Sequence, residues 1–150
     1  MNNQDLELAK MNLIKKNLSL VIVKNKKIIF KTKKQGINGF LDAITLLNKD
    51  LNKASVADKI IGVAAAMLCV YSGISAVFAQ TISESGIKIL KEKNINFSYK
   101  KKVSNILNRK KTDVCPFEKL AIKSKTAEEA FEKLKEFSNQ IFRQLNRSEC

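Results

Sequence analysis

Asp58 and Lys59 stand side by side just before an uncharged run that begins at Ile60 and contains three consecutive alanines, Ala64 to Ala66. A run that is apolar on every side, with small residues in it, predicts a helix that other elements cover on several sides. We expect this helix to extend from about Asp58 to Tyr71. A carboxylate at its start would cap free backbone amides, which is a purely structural role. A lysine beside the helix N-terminus would instead favour a bound anion or nucleotide.

Cys115, Pro116 and Glu118 form a second candidate site, in the segment VCPFEKL. Proline is favoured at the first position of a helix, so we expect a short helix to begin here. A cysteine at a helix N-terminus ionises more readily, and Glu118 could reach the same pocket and transfer protons. The alternative is structural: Cys115 would be a small buried hydrophobic residue, and Glu118 would interact with the helix dipole.

Histidine is absent, which excludes Ser-His-Asp and Cys-His catalysis as well as imidazole metal ligands. The three cysteines, Cys69, Cys115 and Cys150, are odd in number and lack Cys-x-x-Cys spacing. We therefore expect no disulfide framework and a cytoplasmic protein. The sequence also predicts no metal site and no cofactor.

The net charge of +14 favours an anionic partner. Two lysine-rich stretches, residues 24–34 and 100–111, could contact nucleic-acid phosphates, with Phe30, Phe97 and Tyr99 available to stack on bases. Lysine supplies 25 of the 28 basic residues, however, and arginine is the usual reader of bases and phosphates. Compositional bias is therefore the alternative explanation of the charge.

The pattern of apolar residues predicts a hairpin followed by alternating strands and helices, which is typical of a three-layer α/β/α sandwich with a mixed sheet. We expect residues 1–150 to form one such domain. The uncharged run from Ile60 to Thr81 is interrupted by Tyr-Ser-Gly, so it predicts a buried helix and a strand and no membrane span. The other predicted elements are helices at 3–16 and 39–50, strands at 18–23 and 27–32, an extended segment at 55–57, strands at 74–80 and 94–99, a helix from Ser83 to Lys93, an irregular segment at 100–114, a helix at 115–122, and a last helix capped by Thr126 and Glu129.

Three blocks of the sequence, SVADKIIGVAAAML (55–68), VFAQTISESGIKIL (77–90) and ILNRKKTDVCPFEKL (106–120), resemble the domain-of-unknown-function 1893 family. That family is assigned to the cytidine deaminase-like superfamily by its fold, so the resemblance implies a mixed sheet between helices. Zinc deaminases of the superfamily carry His-Ala-Glu at the start of the central helix and Pro-Cys-x-x-Cys at a second helix start. Here Asp58-Lys59 and Ser83-Glu84-Ser85 stand instead, so the resemblance implies the fold without zinc chemistry.

In such a sandwich the helix starts follow the carboxyl ends of strands, where α/β proteins bind ligands. We expect a small anionic metabolite, including a nucleotide, to bind there, with or without metal-free catalysis. Two alternatives stay open: a nucleic-acid-binding protein, and a non-catalytic partner module that forms homo-oligomers. The candidate catalytic residues are Asp58, Lys59, Cys115 and Glu118, and the candidate ligand-binding residues are Lys59, Gly62, Ser83, Glu84, Asn108 and Arg109.

Overall fold

A mixed five-stranded sheet carries one helix on one face and the remaining helices on the other, in the part of the chain described by the computed structural model, residues 3–145. The predicted α/β sandwich is therefore confirmed. Its elements are α1 (Asn3–Lys15), β1 (Leu20–Lys24), β2 (Lys27–Thr32), α2 (Asn38–Leu47) followed by a 3-10 turn (Asn48–Leu51), β3 (Ser55–Ile61), α3 (Val63–Ser72), β4 (Ala76–Ser83), α4 (Glu84–Glu92), β5 (Asn96–Val103), α5 (Pro116–Lys123) and α6 (Ala127–Leu145).

The strand order in the sheet is β2-β1-β3-β4-β5. The β1–β2 hairpin is antiparallel, and β1 also pairs antiparallel with β3. β3, β4 and β5 run parallel to one another, because a helix connects each strand to the next. Their carboxyl ends consequently meet at one edge of the sandwich, where α3 and α4 begin.

The apolar helix α3 lies at the centre of the larger layer, as its composition predicts. It contacts β3 and is covered by α2, α4, α5 and α6. The three alanines, Ala64 to Ala66, are buried, and their small side chains allow this close covering. The helix ends at Gly73, whose positive φ of 73° places it in the left-handed region that favours glycine. On the opposite face, α1 packs on a smaller core that includes Val21, Ala57 and Phe78.

Two predicted boundaries are wrong. Asp58 and Lys59 do not begin α3; they belong to β3, where Asp58 lies opposite Leu20 on one side and Ala79 on the other. The helix begins five residues later, at Val63, because the backbone pairs with β1 up to Asp58 and with β4 up to Ile61. The segment predicted to be irregular after residue 99 continues β5 as far as Val103, since an edge strand tolerates consecutive lysines.

The predicted caps of the later helices are confirmed. The Ser83 hydroxyl accepts a hydrogen bond from the Gly86 backbone N–H at 3.0 Å and caps α4. Pro116 occupies the first turn of α5. The Thr126 hydroxyl accepts from the Glu129 N–H at 3.0 Å at the start of α6. These signals are local in the sequence, which explains why they predict the helix starts correctly.

Candidate functional site

A pocket of about 70 Å³ opens at the carboxyl end of β3, between α3, α5 and two loops. Apolar side chains form its walls, and within the described residues its only ionisable lining groups are the carboxylates of Asp58 and Glu118. The lining residues are Gly36 and Ile37 before α2, Asp58 and Ile60 of β3, Gly62 with Ala64 and Ala65 at the start of α3, Ile106 and Leu107 of the loop after β5, and Cys115, Phe117 and Glu118 at the start of α5.

Glu118 caps the start of α3 from another helix. Its Oε1 accepts a hydrogen bond from the Val63 N–H at 2.7 Å, and its Oε2 accepts one from the Ala64 N–H at 2.7 Å. The side chain is only 5% exposed. Burial raises the pKa of Glu118, and the two backbone hydrogen bonds oppose that rise. The positive end of α3, where an external anion would bind, is thus occupied by a carboxylate of the chain itself.

Gly62 makes this cap possible because it has no side chain. A Cβ atom at this position would collide with Oε1 of Glu118 and with the side chain of Ile106. Gly86 has a related role in α4: a Cβ there would lie 3.2 Å from the carbonyl oxygens of Ile61 and Gly62. The starts of α3 and α4 therefore approach each other closely, and α5 reaches the same place through Glu118.

Asp58 faces the pocket from β3 and is partly buried. Its Oδ1 accepts a hydrogen bond from the Ile60 N–H at 3.2 Å. Burial raises the pKa of Asp58 to about 7, because it outweighs the hydrogen bonds from the backbone amides of Ile60 and Lys59. The pKa of the buried Cys69 thiol is also raised, by burial and then by the negative charge of Asp58. Near neutral pH, Asp58 can accordingly hold or release a proton.

Four of the predicted site residues line the pocket together: Asp58, Gly62, Cys115 and Glu118. Lys59 is not among the lining residues, although Asp58 and Ile60 on either side of it are. Successive side chains of a strand point to opposite faces, so Lys59 points away from the pocket. Asp58 and Lys59 were predicted to act as one pair because they were assigned to a helix start.

The other four predicted ligand-binding residues lie outside the pocket lining. Ser83 is buried and caps α4, while Glu84 is exposed. Asn108 shapes its own loop: its Oδ1 accepts a hydrogen bond from the Thr112 N–H at 3.0 Å. Arg109 is exposed in the turn that follows.

Cys115 is buried against the pocket and is disulfide-bonded in this structure, while Cys69 is a free buried thiol. The sequence predicted no disulfide framework, and one bonded cysteine among the described residues is not a framework, so this stays a prediction. A role for Cys115 as a thiolate would require that bond to be reduced. Cys150, the third cysteine, lies outside the described residues.

Three residues that line the pocket, Gly36, Ile37 and the exposed Ile60, were not among the predicted site residues. Gly36 and Ile37 come from the loop before α2, and Gly36 has a φ of 73°. A glycine in a loop was the available signal, but nothing in the sequence indicated that this loop reaches β3. Among residues 3–145, no cluster of three or more potential metal ligands is present, and no helix is long and apolar enough to cross a membrane.

The fold and the pocket define an α/β sandwich with a small, mostly apolar cleft at the carboxyl end of its central strand. Residues 8–138 match the family described as TM1506, domain of unknown function (DUF1893). The chain belongs to this family. A crystal structure of a DUF1893 family protein (TM1506) from Thermotoga maritima is 27% identical, with a TM-score of 0.79 over 91% of this chain and 92% of that one.

Two other solved structures are less similar. Acinetobacter baumannii RibD (form 2) is 21% identical with a TM-score of 0.46, over 65% of this chain and 33% of that one. A Thermotoga maritima diaminohydroxyphosphoribosylaminopyrimidine deaminase/5-amino-6-(5-phosphoribosylamino)uracil reductase is 16% identical with a TM-score of 0.48, over 65% and 36%. This chain spans about a third of the length of those two proteins, and neither likeness bears on its activity. No curated protein matches the chain.

Proposed function

We propose that this protein binds a small metabolite of the nucleoside or nucleotide class, with an uncharged head group in the pocket and N–H donors directed at Asp58. The observation that supports this most is a carboxylate with a pKa near 7 in a mostly apolar pocket. Such a combination is common where proteins bind ligands or transfer protons.

The charges of the lining favour an uncharged head group over an anionic one. Both oxygens of Glu118 already accept hydrogen bonds from α3, so Asp58 is the carboxylate with acceptor capacity to spare. No lysine or arginine lines the pocket within the described residues, so a phosphate there would lie beside two carboxylates without a cation. The expected anion site at the start of α3 is filled by Glu118.

The anionic part of the ligand would lie at the rim. The lining residues Gly36 and Leu107 belong to loops that carry exposed basic side chains close by in the sequence, Lys33 and Arg109. A pocket of about 70 Å³ accommodates a head group and not a whole nucleotide, so most of the ligand would extend along these loops.

Asp58 is also the residue that would carry any chemistry in the pocket. A group with a pKa close to the working pH is well suited to accept and return a proton. Proton transfer to or from a ligand N–H requires no metal and no histidine, which fits the composition of this chain.

Thermal unfolding in the presence of nucleobases, nucleosides and nucleoside monophosphates at millimolar concentrations tests the proposal. Saturation to about 100 times Kd stabilises a protein by about 2.7 kcal/mol, which should raise Tm by about 5–10 °C for a chain of this size. Asp58→Asn should abolish the shift. Asp50→Asn is a matched control because Asp50 is exposed in the turn after α2 and does not line the pocket.

The proposal is wrong if no member of the panel raises Tm, or if Asp58→Asn binds as well as the unaltered protein. A shift produced by inorganic phosphate alone would contradict the placement of an uncharged head group in the pocket. Charge-removing changes at Lys33 and Arg109 should weaken binding of monophosphates more than binding of nucleosides.

A further inference from the structure

The edge strand β5 and the loop that follows it carry a dense group of positive charges. Lys100, Lys101, Lys102 and the run Arg109 to Lys111 are all exposed. Residues 84–113 contain nine basic and three acidic side chains, which gives this segment a net charge of +6. None of these six basic residues forms an ion pair with the described part of the chain. Their charge is therefore available to a partner.

The two lysine-rich stretches of the sequence do not form one surface. The first includes β2 and the second includes β5, and these strands are the two opposite edges of the sheet. Three strands separate them, a distance of about 19 Å between the edges. A continuous phosphate-binding surface can accordingly involve only one of these edges.

Aromatic side chains lie beside the charges on β5 and not only within the core. Phe97 and Tyr99 stack with ring centroids 6.3 Å apart and an angle of 14° between their planes. They lie opposite Val77 and Ala79 and so share one face of the sheet. Tyr99 is 42% exposed, so the outer ring of this pair can contact a partner.

We propose that the basic β5 surface, defined as Tyr99 to Lys102 with Arg109 to Lys111, binds single-stranded nucleic acid along the open edge of β5. Lys101 lies on the same face of the strand as Tyr99, whereas Lys100 and Lys102 lie on the other face, so the two faces flank this edge. Lysines would contact the backbone phosphates, and a base would stack on Tyr99. Protection of an edge strand from pairing with another strand explains the lysines on β5 but not the exposed, stacked tyrosine beside them.

Single strands fit this surface better than the other polyanions do. Duplex DNA is read mainly by a helix in the major groove and by arginine forks, and this surface offers a strand and one arginine. A lipid surface has phosphates but no planar base to stack on Tyr99. The combination of a phosphate-binding row with an aromatic platform is the arrangement that single-strand binders use.

Fluorescence anisotropy with a labelled single-stranded oligonucleotide, in a series of salt concentrations, tests the proposal. Changing Lys100, Lys101 and Lys102 to Gln should weaken binding and lower the slope of log K against log salt by about 2, because each lost phosphate contact contributes about 0.7. Tyr99→Leu should weaken binding at least about fivefold.

The matched control is the triple change of Lys26, Lys27 and Lys31 to Gln at the opposite edge, which removes the same net charge from exposed positions. It should leave most of the binding intact. Equal losses for the two triple variants would show a non-specific effect of net charge and would overturn the proposal. So would tighter binding to duplex DNA, or binding to anionic lipid vesicles with none to the oligonucleotide. Circular dichroism melting would verify that every variant folds, and none of the altered lysines lines the pocket.

Discussion

Two carboxylates in one pocket have different roles because their hydrogen bonds differ. Each oxygen of Glu118 accepts a backbone N–H of α3, so this side chain holds α5 against the start of α3. Among the described residues, Asp58 accepts hydrogen bonds only from backbone near it in β3, and it keeps acceptor capacity toward the pocket. Burial raises the pKa of both groups. Glu118 is therefore the structural carboxylate, and Asp58 is the one we assign to the ligand.

Asp58→Asn should stabilise the protein at alkaline pH and have little effect at acidic pH. The pKa of Asp58 is about 7 in the folded protein and 3.8 without the fold, so the folded state retains a proton that the unfolded state has lost. Folding stability consequently falls as pH rises from about 4 to about 7 and is constant above that. A tenfold change in proton affinity corresponds to about 1.4 kcal/mol, and partial contact with water reduces the effect, so we expect a gain of about 1–2 kcal/mol at pH 8.

Urea unfolding of both proteins at pH 5 and pH 8 measures this difference. Asp50→Asn, which removes the same charge at an exposed position outside the pocket, is the control variant. A stability difference that is the same at both pH values would show that the carboxyl of Asp58 is not held protonated by the fold.

Glu118→Ala should destabilise the protein by about 2–3 kcal/mol, because it leaves two buried backbone N–H groups without an acceptor. Formate in the buffer should restore part of the lost Tm of this variant, since it can place a carboxylate at the same amides. Thermal melts in formate and in chloride at equal ionic strength make the measurement. If formate stabilises the unaltered protein and the variant equally, the loss has another cause.

At the scale of elements, the starts of the helices show how far the sequence could predict the site. The starts of α4, α5 and α6 were predicted because Ser83, Pro116 and Thr126 are local signals. The start of α3 was placed too early because its cap comes from Glu118, 55 residues away in the chain. Local sequence signals cannot detect such a distant cap. They therefore predicted that the nearest carboxylate, that of Asp58, caps α3.

Gly62→Ala should destabilise the protein mainly through Glu118, because the new Cβ would collide with the carboxylate. The backbone φ at Gly62 is −112°, which any residue can adopt, so backbone strain does not contribute. The double variant with Glu118→Ala should therefore lose less than the sum of the two single losses, with a coupling of at least about 1 kcal/mol. A double-mutant cycle by urea unfolding measures this coupling energy. Strictly additive losses would show that the effect of Gly62→Ala does not act through the Glu118 cap.

At the scale of the whole molecule, the sheet explains both what the sequence predicted and what it did not. Alternating strands and helices predicted the sandwich. The parallel strands bring the starts of α3 and α4 together at one edge, and Glu118 joins α5 to them. The distribution of charge could not be predicted in the same way. Asp58 and Lys59 are adjacent in the chain but point to opposite faces of β3, and the two lysine-rich stretches are on opposite edges. The strand pleat separates the neighbouring charges of Asp58 and Lys59, and the strand order separates the two lysine-rich stretches.

The raised pKa of Asp58 makes the stability of the empty protein and its affinity for a ligand change in opposite directions with pH. An ionised carboxylate is the better acceptor for a ligand N–H, so affinity should increase as pH rises through 7, over the range in which the empty fold loses free energy. The ligand-free protein would then be least stable at the pH values at which its affinity is highest, and ligand binding would restore the lost stability. A substitution at position 58 that stabilises the empty fold would therefore lower the affinity for the ligand.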